Sequence, residues 1–173
     1  MKKALLFTAA VIILVACKKD SISYKSEFDR SYETWLSYKS SQSNSYSYVV
    51  SSGSVLSNIN TLTTLNIING KVNSRNYIYN QYAPNSSTAI VTKSWTENAT
   101  QLNTHANEGA EILTLDEVYS KAKSTWLSAD KAINTIYFEA KNNGIISSCG
   151  YVPKNCADDC FTGINIQSIG SAL

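Results

Sequence analysis

The sequence is poor in charge and in histidine. Of its 173 residues, 16% are Asp, Glu, Lys or Arg, and His105 is the one histidine. Soluble proteins usually carry about 25% charged residues, so Ser, Thr and Asn supply much of the polar surface here. We therefore expect a neutral polar exterior around a core that the 43% hydrophobic residues can form.

Common catalytic signatures are also missing. The sequence contains no glycine-rich phosphate loop, no His-Glu-x-x-His motif and no Gly-x-Ser-x-Gly nucleophile turn. His105 lies in a stretch without clear periodicity, Thr96 to Ile112, and we interpret it as an exposed loop histidine. Asp116 and Glu117 are explained by helix capping. We therefore predict a non-enzymatic protein that needs no cofactor.

The first seventeen residues have the order of a secretory signal peptide. Lys2 and Lys3 precede an uncharged run from Ala4 to Ala16, which is shorter than the roughly 20 apolar residues of a membrane-spanning helix. The run ends in Leu14-Val15-Ala16-Cys17, which resembles the lipobox of bacterial lipoproteins. That resemblance implies cleavage before Cys17 and acylation of this cysteine.

An acylated Cys17 would anchor the protein to a membrane. Each buried methylene contributes about 0.8 kcal/mol, so two or three acyl chains hold a soluble domain on a bilayer. Lys18-Lys19-Asp20 resembles the start of the tether in many outer-membrane lipoproteins. We expect a lipid-anchored protein of the bacterial cell envelope, in the outer membrane, with periplasmic and surface-facing orientations both open. A plain signal peptide with an incidental cysteine is the alternative.

Loss of the signal peptide changes the charge balance. Removing residues 1–16 takes away Lys2 and Lys3, which lowers Lys+Arg from 15 to 13, equal to the 13 Asp+Glu. Proteins that bind nucleic acid through its phosphates usually have a basic excess. We therefore predict no nucleic-acid partner. The expected partners are the membrane, through the anchor, and an unidentified protein or glycan.

The length of the mature chain fits one domain. We divide the chain into a signal peptide (1–16), an acylated tether (17–25) and a single domain (26–173). Apolar residues at helical spacing predict a first helix from Ser26 to about Ser40, and the capping box Thr114-Leu115-Asp116-Glu117 predicts a second helix that reaches Leu127. Asn69-Gly70 between two alternating stretches predicts a hairpin.

These elements predict an α+β fold, with an antiparallel sheet and two main helices packed on one face, in the order α-β-β-β-α-β-β-β. Several segments follow one another in a characteristic order, namely Trp35, Tyr46-Ser47-Tyr48, residues 69–72, residues 113–119 and residues 137–159. Their order and spacing resemble an uncharacterised family of small secreted bacterial domains, often lipoproteins, called domain of unknown function 6174. The family has no established activity, so the resemblance implies no site.

Three cysteines remain in the mature domain, namely Cys149, Cys156 and Cys160. Thiols tend to pair in the oxidising cell envelope, so we predict one disulfide and one free thiol. Cys149 with Cys156 or Cys160 would close a short loop and contribute about 2.5–3 kcal/mol. The spacing does not decide the connectivity.

A small metal-binding protein or enzyme is a second hypothesis. It would use His105 and the three late cysteines, although their spacing lacks the Cys-x2-Cys pair of typical zinc sites. Asp158-Asp159 offers carboxylates for calcium, but the alternating acids of an EF-hand are missing. We therefore assign no metal site, and interpret the two aspartates as part of a solvated turn.

Four tyrosines offer a third hypothesis, an inhibitor or glycan-binding module. Tyr46, Tyr48, Tyr77 and Tyr79 lie at alternating positions in predicted strands. If they are exposed on one sheet face, they form a stacking surface for sugar rings or a partner protein. If they are buried, they pack as cross-strand pairs.

Overall fold

The structure, a computed structural model, describes residues 22–54, 56–83, 86, 88–157 and 159–173. Residues 1–21, with the predicted signal peptide and Cys17, and Asp158 lie outside this set. The elements are α1 (Lys25–Ser41), β1 (Tyr46–Ser54), β2 (Ile59–Ile68), β3 (Lys71–Tyr82), β4 (Ala89–Asn98), α2 (Leu115–Lys121), a π-helical turn (Ala122–Trp126, the π turn), β5 (Asn134–Glu139), β6 (Ser148–Pro153) and β7 (Thr162–Ser171).

All seven strands form one sheet in the order β4-β3-β2-β1-β7-β6-β5. Every neighbouring pair is antiparallel. β7 follows all the others in the chain, yet it lies between β1 and β6 and joins the two halves of the sheet. Its pairing with β1 therefore connects residues more than 110 positions apart.

The predicted α+β arrangement is wrong. Most of the regular structure is the seven-stranded antiparallel sheet, and the helices are α1 with 17 residues and α2 with 7, which the π turn extends by 5. Four strands separate α1 from α2, so the order α-β-β-β-α-β-β-β fails. The sheet therefore organises this fold, and not two main helices packed on one face.

The additional strand is β4, whose pattern is weak in the sequence. It lies at the edge of the sheet, and its side chains are mostly exposed on both faces. Alternation of apolar and polar residues signals a strand only when one face is buried. Pairing with β3 defines β4 instead, through neighbours such as Tyr77–Trp95 and Arg75–Glu97.

Two locally encoded features are confirmed. Asn69 and Gly70 have φ angles of 50° and 76°, and they connect β2 to β3 as the hairpin pattern requires. Thr114 and Glu117 form the reciprocal capping box at the start of α2. The first helix, predicted from Ser26, begins one residue earlier, at Lys25 after Tyr24.

Aromatic residues connect the helices to the core. Trp35 of α1 meets Tyr46 of β1 edge-on, with ring centroids 4.7 Å apart. Tyr119 of α2 donates to the Ser31 carbonyl oxygen at 3.0 Å, and its hydroxyl accepts from Ile146 N–H at 3.1 Å. Burial raises the pKa of Tyr119 to about 12. None of the helices formed by the described residues has the length and apolar character to cross a bilayer.

Candidate binding groove

The candidate site lies where β1 and β7 separate. Their pairing starts at Tyr46, passes a bulge and ends with the pair Val50–Ile166. Beyond this point β1 continues to Ser54 and pairs with β2 alone, while the part of β7 that begins at Thr162 pairs with β6 alone. Within the described residues, these two strand segments thus face each other without a ladder partner between them.

A groove of about 580 Å³ occupies this fork. Trp126 of the π turn, the loop around Ala110 and the half-buried Phe161, which directly precedes β7, complete its lining. The remaining polar lining is rich in hydroxyl and amide groups. These come from Ser51, Ser52, Thr61, Thr63, Thr125, Thr162 and Asn165. We call this site the fork groove.

One wall of the fork groove belongs to the loop of residues 99–113, which the strands hold in place. The N–H of Ala110 donates to Thr63 Oγ1 at 2.9 Å. Arg75 donates to the carbonyl oxygens of Ala110 at 2.9 Å and His105 at 3.1 Å. Because Thr63 and Arg75 are both only 2% exposed, the wall rests on buried, fixed contacts.

Glu97 organises the same loop from β4. Besides Arg75, its carboxylate accepts from the backbone N–H groups of Asn103 at 3.0 Å and His105 at 2.7 Å. Burial by itself would raise the pKa of Glu97, but the Arg75 guanidinium and these N–H donors lower it to about 2. A fully buried charge needs such compensation, because an unpaired carboxylate costs several kcal/mol.

His105 has a structural environment that the sequence did not reveal. Its ring stacks on Trp95 with centroids 4.3 Å apart and an interplanar angle of 6°. Its Nδ1 lies 3.1 Å from Glu97 Oε1, and Trp95 Nε1 in turn donates to Glu108 at 3.0 Å. The histidine is therefore part of the contacts that hold the loop rather than a simple loop residue.

An ion pair crosses from the loop to α2 beside the groove. Lys121 Nζ pairs with Glu111 and lies 5.7 Å from the ring centroid of Trp126. The Glu111 side chain is 64% exposed, so the pair contributes at most about 1 kcal/mol to stability. Its two charges are nevertheless the charged groups among the described residues that line the groove.

The three cysteines that the structure describes form one pair and leave one free thiol. Cys156 and Cys160 form a disulfide, with Cα atoms 6.2 Å apart. Cys149, which the sequence suggested as a partner for either, is free and fully buried in the core. Burial raises the pKa of the Cys149 thiol to about 12, so this cysteine has little thiolate character near neutral pH.

The structure does not bring His105 together with the late cysteines. His105 packs on β4 through Trp95, whereas Cys149 is on β6, five strand positions away. At a spacing of about 4.8 Å between strands, this separation is roughly 20 Å or more. The described residues include no group of three or more His, Cys, Asp or Glu that could hold a metal ion.

The four tyrosines share one face of the sheet, because β1, β2 and β3 pair in register through Leu65 and Thr63. Tyr46, Tyr48 and Tyr77 are buried on that face, and Tyr79 is half-buried. The hydroxyls of Tyr46 and Tyr48 bond to the backbone of Leu115 and Leu113. The three buried tyrosines therefore pack in the core instead of forming an open stacking surface.

The site residues that sequence reasoning missed come from distant segments. Arg75 and Glu97 lie opposite each other on neighbouring strands, and such a pair can be recognised only when the strand register is known.

Comparison with known proteins gives no match. No family model, no curated protein and no solved structure matches the chain. The lipobox and the domain resemblance therefore stay predictions from the sequence.

Proposed function

We propose that this protein is a lipid-anchored, non-enzymatic binding domain of the bacterial cell envelope, and that the fork groove takes an extended polypeptide segment. Acylation at Cys17 would hold the domain on the outer membrane, as the motif Leu14-Val15-Ala16-Cys17 suggests. The second part of the proposal rests on the geometry of β1 and β7.

The separated strand edges carry the proposal. The Ser51–Ser54 segment of β1 and the Thr162–Asn165 segment of β7 each have a paired strand on one side only. A strand edge offers backbone N–H and C=O groups at regular spacing, and an extended peptide satisfies them by adding a strand. Two such edges that face each other across a groove provide this pattern from both sides.

The side chains around the groove fit the same ligand. In an extended peptide, successive side chains point to opposite faces, so every second one can enter a pocket. Trp126 and Phe161 offer apolar surface to those side chains. Glu111 and Lys121 offer one charge of each sign among the lining residues. The groove therefore suits a segment with alternating apolar residues.

The anchor is tested by processing. Cys17→Ser, or treatment of cells with globomycin, should leave a precursor that retains residues 1–16, and the shorter mature form should not appear. Cys149→Ser is the matched control, because it removes another cysteine but leaves the lipobox intact. Unchanged processing and membrane retention in Cys17→Ser would refute the lipoprotein assignment.

The groove is tested with a phage-displayed library of random dodecapeptides. The chain from residue 17 with Cys17→Ser contains every residue that the structure describes, and it serves as the target. Ser52→Tyr should fill the groove and weaken selected synthetic peptides at least tenfold, because Ser52 is an exposed lining residue. Ser57→Tyr is the control, since Ser57 is equally exposed but does not line the groove.

The outcomes separate the three hypotheses for this protein. A proline placed at alternating positions in a selected peptide should abolish binding, because proline cannot donate to a strand edge. Failure to select any peptide, or equal binding by both tyrosine variants, contradicts the peptide proposal. Glycan-array binding that Ser52→Tyr abolishes would assign the groove to an oligosaccharide. Stoichiometric zinc in the purified chain would favour a metal protein.

A further inference from the structure

The point where the chain enters the fold lies close to the proposed anchor. Ser23 is buried, and its N–H donates to the Leu127 carbonyl oxygen at 2.9 Å. Cys17 and Ile22 are five residues apart in the sequence, which an extended chain spans in roughly 17 Å. If Cys17 is acylated, as the proposed function states, the surface around Ser23 stays within that distance of the bilayer.

Two turns form the surface beside this entry point. Lys154 Nζ donates to the carbonyl oxygens of Lys131 at 2.8 Å and Ala132 at 3.2 Å. The Lys154 N–H also donates to the Ile133 carbonyl oxygen at 2.9 Å. Lys131 and Lys154 line one shallow depression together with Ser23. The turn of residues 130–133 is thus fixed next to the start of the fold.

This surface combines positive charge with an exposed apolar side chain. Ile133 is 64% exposed, and Lys131 and Lys154 are exposed around it. The nearby acid Asp130 uses Oδ1 to accept from the Ala132 N–H at 2.8 Å, and it offsets one of the two lysines. In the segment toward the anchor, Lys18 and Lys19 outnumber Asp20. The balance near the entry point is therefore basic.

We propose that Lys131, Ile133 and Lys154 form a membrane-docking surface, which rests on the anionic phospholipid headgroups of the bilayer that holds the anchor. Ammonium groups attract these headgroups, and an exposed isoleucine can enter the boundary between headgroups and acyl chains. Each lysine near an anionic surface increases partitioning about fivefold. The surface is weak by itself, but the anchor keeps it at high local concentration, so docking fixes the orientation of the domain.

Co-sedimentation tests the headgroup preference without the acyl chains. The chain from residue 17 with Cys17→Ser should partition at least tenfold more strongly onto vesicles of 40% phosphatidylglycerol and 60% phosphatidylcholine than onto pure phosphatidylcholine. Lys131→Gln with Lys154→Gln should lower this preference at least fivefold, and Ile133→Ser should weaken it. Lys71→Gln with Lys141→Gln removes the same charge away from the depression and should retain the preference. An equal loss in both double variants, or no preference in the wild-type chain, overturns the proposal.

A second measurement reproduces the anchored state. The wild-type chain from residue 17 can be coupled to maleimide lipid through Cys17, because Cys149 is buried and the other two cysteines are paired. Acylation by an amine-reactive ester should then label Lys131 and Lys154 at least threefold more slowly on vesicles with phosphatidylglycerol, whereas labelling of Lys71 stays unchanged. Equal labelling rates on both vesicles refute docking. Neither experiment depends on processing in cells, so the anchor and the docking surface can fail separately.

Discussion

Arg75 and Glu97 face each other across β3 and β4 and form a buried, two-point ion pair. Arg75 Nε donates to Glu97 Oε2 at 3.0 Å, and a second guanidinium nitrogen donates to Oε1 at 3.0 Å. The side chains are 2% and 0% exposed. Arg75 continues to two carbonyl oxygens of the loop and Glu97 to two of its N–H groups, so one pair holds a whole wall of the fork groove.

Glu97→Gln should lower the free energy of unfolding by about 3–5 kcal/mol, because it leaves the Arg75 charge buried without a partner. Urea denaturation followed by tryptophan fluorescence measures the change. Glu108→Gln is the matched control: Glu108 lies in the loop and pairs with the exposed Lys93 of β4, and its loss should cost about 1 kcal/mol or less. Similar losses in both variants would contradict the role given to the buried pair.

The same carboxyl sets a pH dependence. The folded-state pKa of Glu97 is lowered to about 2 from a reference of 4.5, so its stabilising contribution is complete above pH 4.5. That contribution is lost as the pH falls through 2. The difference in unfolding free energy between wild type and Glu97→Gln should therefore shrink from pH 5 to pH 2. A difference that stays constant over this range would show that the lowered pKa is wrong.

Thiol chemistry should separate the three late cysteines. Ellman's reagent should find no reactive thiol in the folded chain from residue 17 with Cys17→Ser, because Cys149 is buried and its pKa is raised to about 12. Unfolding without reductant should expose one thiol, and reduction should release three, since Cys156 and Cys160 are paired. A reactive thiol before unfolding would contradict the burial of Cys149.

Gly163→Ala should destabilise the protein by about 1–3 kcal/mol through overpacking. A Cβ at Gly163 would lie 2.2 Å from the Cys149 carbonyl oxygen and 2.8 Å from the Phe161 ring. Gly170→Ala is the control in the same strand, because the nearest atom there is 3.9 Å away, and its effect should stay within about 0.5 kcal/mol. Thermal unfolding of both variants distinguishes a crowded site from a general intolerance of alanine in β7.

The parts of the fold that the sequence predicted are those with a local cause. Asn69-Gly70 specifies a turn because both residues must adopt positive φ, and Thr114 with Glu117 satisfies backbone groups within one helical turn. Both signals need only a few neighbouring residues, and neighbouring residues are what sequence patterns record.

The features that escaped prediction depend on distant pairing. Arg75 and Glu97 are 22 residues apart, and each alone reads as a surface charge. Likewise, alternation places Tyr46 and Tyr48 on one face, but it does not reveal that Leu113 and Leu115 cover that face. The fork groove exists only because β7 pairs with half of β1, which no local pattern specifies.

The central place of β7 also has a consequence for how the chain acquires its shape. Strands β1 to β4 are neighbours in the sheet and can pair in succession once residues up to Asn98 are available. β5 can pair with β6 independently. These two partial sheets are connected only when β7 (Thr162–Ser171) pairs with β1 on one side and β6 on the other. Completion of the sheet therefore depends on contacts of very long sequence separation, and such contacts slow folding. A chain that ended before Thr162 would leave one edge of β1 and one edge of β6 unpaired. Unpaired strand edges promote aggregation.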